Sequence, residues 1–399
     1  MQEIIDLIVK PQFVDRYKRG YPLIFKESIS NLYMLREEGS IVNLVEEDGE
    51  FLARGYYGKQ NKGSGWILTQ KEDEAIDMSF FIKRFIVALN KRGKFFNDQE
   101  TNCFRLFNGE GDGIGGLTVE YFDGYLVINW YSLGIYAFRE LIVDALSQVT
   151  YFKGIYEKKR FSEDGNYIEQ DDFIKGERAP VPLIVKENRV NFAIYLNEGA
   201  MVGVFLDQRE IRKAIRDRYS KRKSVLNTFS YTGAFSIFAA LGGASKTTSV
   251  DLANRSLPKT REHFEINGID PDGEDIIVED VFKYFKYAKK RELKFQLSIL
   301  DPPSFAKSKN FIFSADKDYK DLLKETIEIT ADRGVIVAST NCANFNMEKF
   351  KGFIRDAFKE TGGAYQILEE FSLPEDFKTL EEFPEGDYLK VVFIKNLAG

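Results

Sequence analysis

Cysteine, histidine and tryptophan are scarce in these 399 residues, at two, one and two positions. The two cysteines, Cys103 and Cys342, cannot make a disulfide framework and have no paired spacing for zinc, so a structural metal is not expected. No apolar run reaches the length of a bilayer span; the rich stretch Tyr125 to Tyr131 ends within a few residues at a turn or a charge. The first ten residues carry Glu3 and Asp6, whereas a secretory signal has a basic start and an unbroken apolar core, so the expected location is the cytoplasm. No Gly-x-Gly-x-x-Gly occurs in the turn Thr228 to Gly233 that opens the alternating strand-and-helix segment, where one glycine remains, which argues against a nicotinamide or flavin enzyme. The glycines of Gly109 to Gly116 lack the lysine and hydroxyl residue of a phosphate-binding loop. Positive charge is not in excess either: a net charge of −6 argues against indiscriminate nucleic-acid binding, which needs a cationic surface facing the phosphates.

The length predicts two or three domains, and 44% hydrophobic with 30% charged residues predicts a soluble globular chain. Basic residues cluster at Arg16, Lys18 and Arg19 and in the run Arg212, Lys213, Arg216, Arg218, Lys221, Arg222 and Lys223. Such runs suit a structured RNA, and a solvated helix face is the alternative. Ser40 to Val45 and Glu50 to Tyr57 are predicted as two strands joined around Asp48-Gly49, in a small β-rich module. A helix from Met78 carries Phe80, Phe81, Phe85 and Leu89 on one face. Strands at Phe104 to Phe107, Leu117 to Phe122 and Tyr125 to Tyr131, a helix from Tyr136 to Gln148 and a strand at Gly154 to Lys158 follow.

Beyond Arg189 to Leu196, strands and helices alternate. Strands are predicted at Ser224 to Asn227, Thr247 to Val250, Asp275 to Val278, Leu297 to Leu300 and Val335 to Ser339. That alternation predicts a parallel, doubly wound α/β sheet, whose ligands bind beyond the carboxyl ends of the strands. At the first end, Asn227 leads through Thr228 into Phe229, Ser230, Tyr231, Thr232 and Gly233, a turn in which glycine lets backbone approach a ligand. The second ends in Asp251, about twenty residues on, where a carboxylate reaches ribose hydroxyls; capping of the next helix is the competing reading. The third ends Glu279-Asp280-Val281-Phe282, an acid for an exocyclic amine beside apolar cover for a purine. The fourth ends Asp301-Pro302-Pro303-Ser304-Phe305, where two prolines expose carbonyls and fix Asp301 at the crevice. The fifth ends Ser339-Thr340-Asn341-Cys342, bringing a thiol to the same rim. Asp-Pro-Pro is the arrangement nucleic-acid methyltransferases place around a target base, and the cofactor expected is S-adenosyl-L-methionine.

Phe229 to Gly233, Ser249-Val250-Asp251, Asp301 to Phe305 and Phe205-Leu206-Asp207-Gln208-Arg209 resemble the large-subunit ribosomal RNA cytosine-5 methyltransferases of the RlmI type. So do Leu52-Ala53-Arg54-Gly55, Arg105-Leu106 with Gly109 to Gly113, and Phe383 to Lys390, which extends the likeness over nearly the whole chain. The resemblance implies an RNA-binding PUA domain (1–74), a small central α+β domain (75–188) and a Rossmann-like class I methyltransferase domain (189–399). It implies that Gln208 and Arg209 seat the amino-acid end of the cofactor, with a salt bridge as the alternative role of Arg209. The backbone of Asn227 and Phe229 to Gly233 would pass beneath the sulfonium, with Asp251 and Leu252 at the ribose, Asp280 and Val281 at the adenine, and Asp301 and Pro302 closing the site. The implied substrate is ribosomal RNA of the large subunit, free or in an assembling particle. Some members form dimers.

The chemistry implied is 5-methylcytosine formation: a thiolate adds to C6, C5 takes the methyl group, and loss of the C5 proton expels the enzyme. Cys342 is the expected nucleophile and Asp301 the group that binds the ring edge. Yet the family's fifth strand commonly ends Ser-Cys-Ser, and here Asn341 stands where that cysteine falls, with the thiol one residue later. A buried cysteine serving as a small apolar residue is the competing reading. Methylation of a purine nitrogen without a thiol, and a non-catalytic RNA-binding assembly factor, are the alternatives. His263, the single histidine, and Cys103 are expected to be structural.

Overall fold

The computed structural model describes residues 4–59, 63–161, 171–307 and 312–397; Glu3 lies outside them. The chain divides into two compact units. One comprises Met1–Val185, Ile194–Val202 and Glu375–Gly386, the other Lys186–Ala193, Gly203–Pro374 and Asp387–Gly399. No helix among the described residues is long and apolar enough to cross a membrane.

The first unit holds two five-stranded sheets. One has the order Ile5–Ile8, Ile41–Val45, Phe51–Tyr57, Gly63–Thr69, Leu23–Phe25, with its first pair parallel and the rest antiparallel. The other runs Phe173–Gly176, Gly154–Lys159, Tyr125–Trp130, Leu117–Phe122, Cys103–Asn108. Its one parallel pair, Tyr125–Trp130 with Gly154–Lys159, is connected through the helix Arg139–Val149, because parallel neighbours need a crossover. The helix Met78–Lys91 begins at Asp77, whose side chain accepts from Phe80 N, and buries Phe80, Phe81, Phe85 and Ala88.

Residues of both stretches that the resemblance implies as domains, 1–74 and 75–188, share one apolar core. Leu7, Tyr17, Val42 and Tyr56 belong to the same apolar cluster as Phe85, Phe107, Trp130 and Leu146. Tyr56 Oη donates to the carbonyl of Gly115 at 2.7 Å across that cluster. The segment Glu375–Gly386 completes this unit. Fully buried Arg92 donates to Asp112 at 2.6 and 3.1 Å and to the carbonyl of Asp376 at 2.6 and 3.0 Å.

The second unit is built on a seven-stranded sheet: β1 (Ser224–Thr228), β2 (Lys246–Asp251), β3 (Asp275–Val278), β4 (Phe295–Leu300), β5 (Thr330–Thr340), β6 (Ala364–Phe371) and β7 (Lys390–Leu397). Their order is β3-β2-β1-β4-β5-β7-β6. The first five are mutually parallel, and β7 runs antiparallel to both β5 and β6. The five predicted strands are all present. The antiparallel pair β6 and β7 was not among them. Buried residues such as Leu226, Ile299, Val337 and Phe393 fill the sheet, as its apolar runs require when both faces are covered.

Candidate active site

Parallel register brings the carboxyl ends of β1, β2 and β4 together on one edge of the sheet, and β1 turns there sharply. Phe229, Tyr231 and Gly233 all have left-handed backbones, at φ of 54°, 51° and 76°. Two non-glycine residues in that region are held there at a cost of about 1 kcal/mol or more each, and the bonds that impose it are local. Ser230 N donates to Val250 O at 3.1 Å, Gly233 N to Ser230 O at 2.8 Å and Tyr231 N to Asp251 Oδ2 at 2.8 Å. Asp251 Oδ1 accepts from Ala253 N at 2.8 Å. Asp251 therefore pins the turn. It does not cap the next helix, Ser256–Glu265, whose N-cap is Arg255.

Glycine is required at 233 for a second reason: a Cβ there would stand 2.5 Å from Thr260 Cγ2. His263 supports the same turn from below. It is fully buried with Nδ1 2.9 Å from the carbonyl of Thr232 and Nε2 3.4 Å from that of Ala193, and burial holds its pKa below the ordinary value. Its role is structural, as its position in the sequence suggested. Cys103 is likewise fully buried.

At the end of β3, Asp280 Oδ1 accepts from Lys283 N at 3.1 Å and so caps the helix Val281–Lys290. At the end of β4, Asp301 Oδ1 accepts from Gln208 Nε2 at 3.0 Å and from Ser339 Oγ at 2.7 Å, and Gln208 Nε2 also reaches Ser339 Oγ at 2.9 Å. Removal from bulk water raises the Asp301 pKa to about 6; Ser339 opposes the rise and the nearby Asp207 carboxylate adds to it. Gln208 is 4% exposed and its Oε1 accepts no hydrogen bond from any described residue. Arg209, equally buried, places Nε 3.2 Å from Glu210 Oε1.

The fifth strand end departs from the sequence reading. Cys342 is 4% exposed and belongs to the apolar cluster of Tyr319, Phe345 and Phe350, so its thiol lies in the core and not at the rim. Asn341 is the exposed residue there, and its Oδ1 accepts from Ser304 Oγ at 2.5 Å. Successive residues leaving a strand point opposite ways, so a one-residue displacement exchanges the thiol for an amide.

The basic run is divided between core and surface. Arg212 is 1% exposed and donates to both oxygens of Glu187 at 2.7 and 2.6 Å. Lys221 to Lys223 precede the amino end of β1, a full strand, roughly 16 Å at about 3.3 Å per residue, from the edge where the acids gather.

Acceptors dominate this edge: the Gln208 carbonyl, the Asp301 carboxylate and the Asp251 carboxylate. Such a set suits a cationic, hydroxyl-bearing ligand, and the orphaned buried Gln208 Oε1 matches an ammonium donor. A doubly wound sheet with an antiparallel β7, a glycine turn and acids closing β2, β3 and β4 defines the S-adenosylmethionine-dependent methyltransferases of class I.

Known proteins agree. Residues 7–70 match the model of a PUA-like domain and residues 159–382 that of an S-adenosylmethionine-dependent methyltransferase. The chain is 60% identical over 391 residues to YwbD of Bacillus subtilis (strain 168), provisionally named a ribosomal RNA large subunit methyltransferase, covering 98% of this chain and 99% of that one. Ribosomal RNA large subunit methyltransferase I of Aeromonas salmonicida (strain A449) is 32% identical, covering 94% and 96%. Among solved structures, SMU.776, a provisionally named methyltransferase in complex with SAH, superposes with a TM-score of 0.90 at 38% identity, covering 98% of this chain and 100% of that one. The chain belongs to the RlmI-type family of S-adenosylmethionine-dependent ribosomal RNA large subunit methyltransferases that carry a PUA-like domain.

Proposed function

We propose that this enzyme methylates a purine nitrogen in ribosomal RNA of the large subunit, by direct attack of the nitrogen lone pair and without a covalent enzyme–RNA adduct. The observation that carries the reading is the burial of Cys342 together with the exposure of Asn341 at the position of the family's cysteine. Carbon 5 of cytosine is a poor nucleophile until a thiolate has added to C6. A thiol packed among Tyr319, Phe345 and Phe350 is turned away from the rim where that carbon would be presented. A ring nitrogen that carries no proton, such as N7, has its own in-plane lone pair, takes the methyl group without losing a proton and needs only alignment with it.

When bound, S-adenosylmethionine supplies a methyl group on a positively charged sulfur that leaves as a neutral thioether. Gln208 Oε1 and Asp301 hold its ammonium, with Arg209 beside its carboxylate. Asn227 and the turn from Phe229 to Gly233 would line its sulfonium side. Asp251 accepts from the ribose hydroxyls next to Leu252, and Asp280 accepts from the adenine amine next to Val281. Asp301 and Pro302 would shape the entrance for a target base unstacked from the RNA, and the PUA-like domain would bind RNA.

The competing reading, 5-methylcytosine through Cys342, is favoured by the family resemblance and requires the segment after β5 to turn its thiol outward. Large-subunit ribosomal RNA from cells lacking the gene, methylated in vitro and digested to nucleosides, separates the two by mass. The expected product is a methylated purine, with no adduct trapped by RNA containing 5-fluorocytosine. 5-Methylcytosine together with an adduct lost in Cys342→Ala overturns the proposal. A non-catalytic assembly factor would show no binding of millimolar S-adenosylmethionine by calorimetry.

A further inference from the structure

Asn341 is held from both sides. Ser304 Oγ donates to its Oδ1 at 2.5 Å, and the Ser304 carbonyl is itself fixed by Ala315 N at 3.0 Å. On the other side, Cys342 N donates to Thr340 Oγ1 at 3.2 Å, and buried Lys390 donates from Nζ to the carbonyls of Cys342 at 3.1 Å and Tyr388 at 2.9 Å. A primary amide has two faces, an acceptor and a pair of donors. With the hydroxyl of Ser304 on the oxygen, the amide presents its N–H groups at the exposed rim, one strand over from Asp301.

We propose that Asn341 is the base-reading residue of the site, donating from its amide to an acceptor on the edge of the target base, and that Ser304 positions it. The inference rests on the purine reading above and narrows it. Asparagine usually reads adenine with both halves of its amide, taking N–H from the amine and giving N–H to N7. Ser304 engages the accepting half, which leaves a donor suited to an exocyclic carbonyl oxygen, so the substrate is a 6-oxopurine and not a 6-aminopurine. By the resemblance in sequence, the amide stands where the cytosine-5 members carry their cysteine. One residue type thus separates a site that reads the base from one that bonds to it.

The test uses the full-length enzyme and a short RNA spanning the methylated position, made either with the natural nucleotide or with 2-aminopurine, which lacks the 6-oxo group. Asn341→Ala is expected to lower kcat/KM on natural RNA by about ten- to a hundred-fold. The wild type should lose as much on the 2-aminopurine RNA, and the variant should lose nothing further there. Affinity for S-adenosylmethionine, measured by calorimetry, should stay unchanged. Ser304→Ala should lose less than Asn341→Ala, with Ser304→Thr restoring the rate, since a hydroxyl is what orients the amide. Unimpaired activity of Asn341→Ala, penalties that multiply, or a methylated adenine would overturn this inference and leave the purine reading standing. A methylated pyrimidine would overturn both.

Discussion

The two halves of the active edge are made in different ways. At β1 and β2 the backbone does the shaping: three left-handed residues in a span of five, held by amide donors to the Asp251 carboxylate and to the carbonyls of Ser230 and Val250. At β4 and β5 side chains do it, with Gln208, Ser339 and Asp301 in one triangle and Ser304 with Asn341 in another contact. A backbone wall resists change of sequence, whereas a side-chain wall can alter its chemistry by one substitution.

Breaking the side-chain half should cost most. Asp301→Ala is expected to lower turnover by about a hundred- to a thousand-fold, measured as methyl transfer to ribosomal RNA, with the melting temperature hardly moved. Damage to the backbone half should appear first in folding. Gly233→Ala meets Thr260 and demands a left-handed alanine, so a loss of about 1–3 kcal/mol in stability is expected in denaturant titration, with weaker cofactor binding.

A smaller effect follows from pH. If the ionised Asp301 holds the cofactor ammonium, affinity for S-adenosylmethionine should fall about ten-fold from pH 7 to pH 5, with the change centred near 6, and calorimetry on Asp301→Asn should show a flat profile. Stability of the free enzyme should move the other way. The folded pKa lies above the unfolded one, so this contribution is present below about pH 4 and is lost as pH rises through 6. The smallest effect should come from Cys342→Ala: unaltered methyl transfer and a stability loss of about 1 kcal/mol. A collapse of turnover in that variant would move the chemistry back to the thiol.

Much of the second unit was legible because its signals are local. Parallel strands buried on both faces read as apolar runs, and Asp251, Asp280 and Asp301 each close one of them. The rest depended on partners remote in sequence. Gln208 meets Ser339 across 131 positions and Ser304 meets Asn341 across 37, and no periodicity announces such pairs. Nor does a run of basic letters reveal that Arg212 is spent on a buried Glu187 while Lys221 to Lys223 lie at the wrong end of β1. The thiol was misplaced for the plainest reason: one residue of offset decides which way a side chain leaves a strand. β6 and β7 escaped because the strand-and-helix rhythm gives way there to an antiparallel pair.

The short stretch Glu375–Gly386 leaves the methyltransferase unit after β6 and supplies the first unit with the carbonyls that satisfy Arg92 and Asn108 before the chain returns as β7. The two units are therefore nested along the chain and not strung end to end. No single cut of the chain yields both of them whole. A truncation before residue 375 deprives a fully buried guanidinium of an acceptor, and a fragment beginning at 189 carries a segment with nothing to complete. Whatever selection acts on this enzyme acts on one interleaved piece, and a single crossover between relatives would split one of its two units.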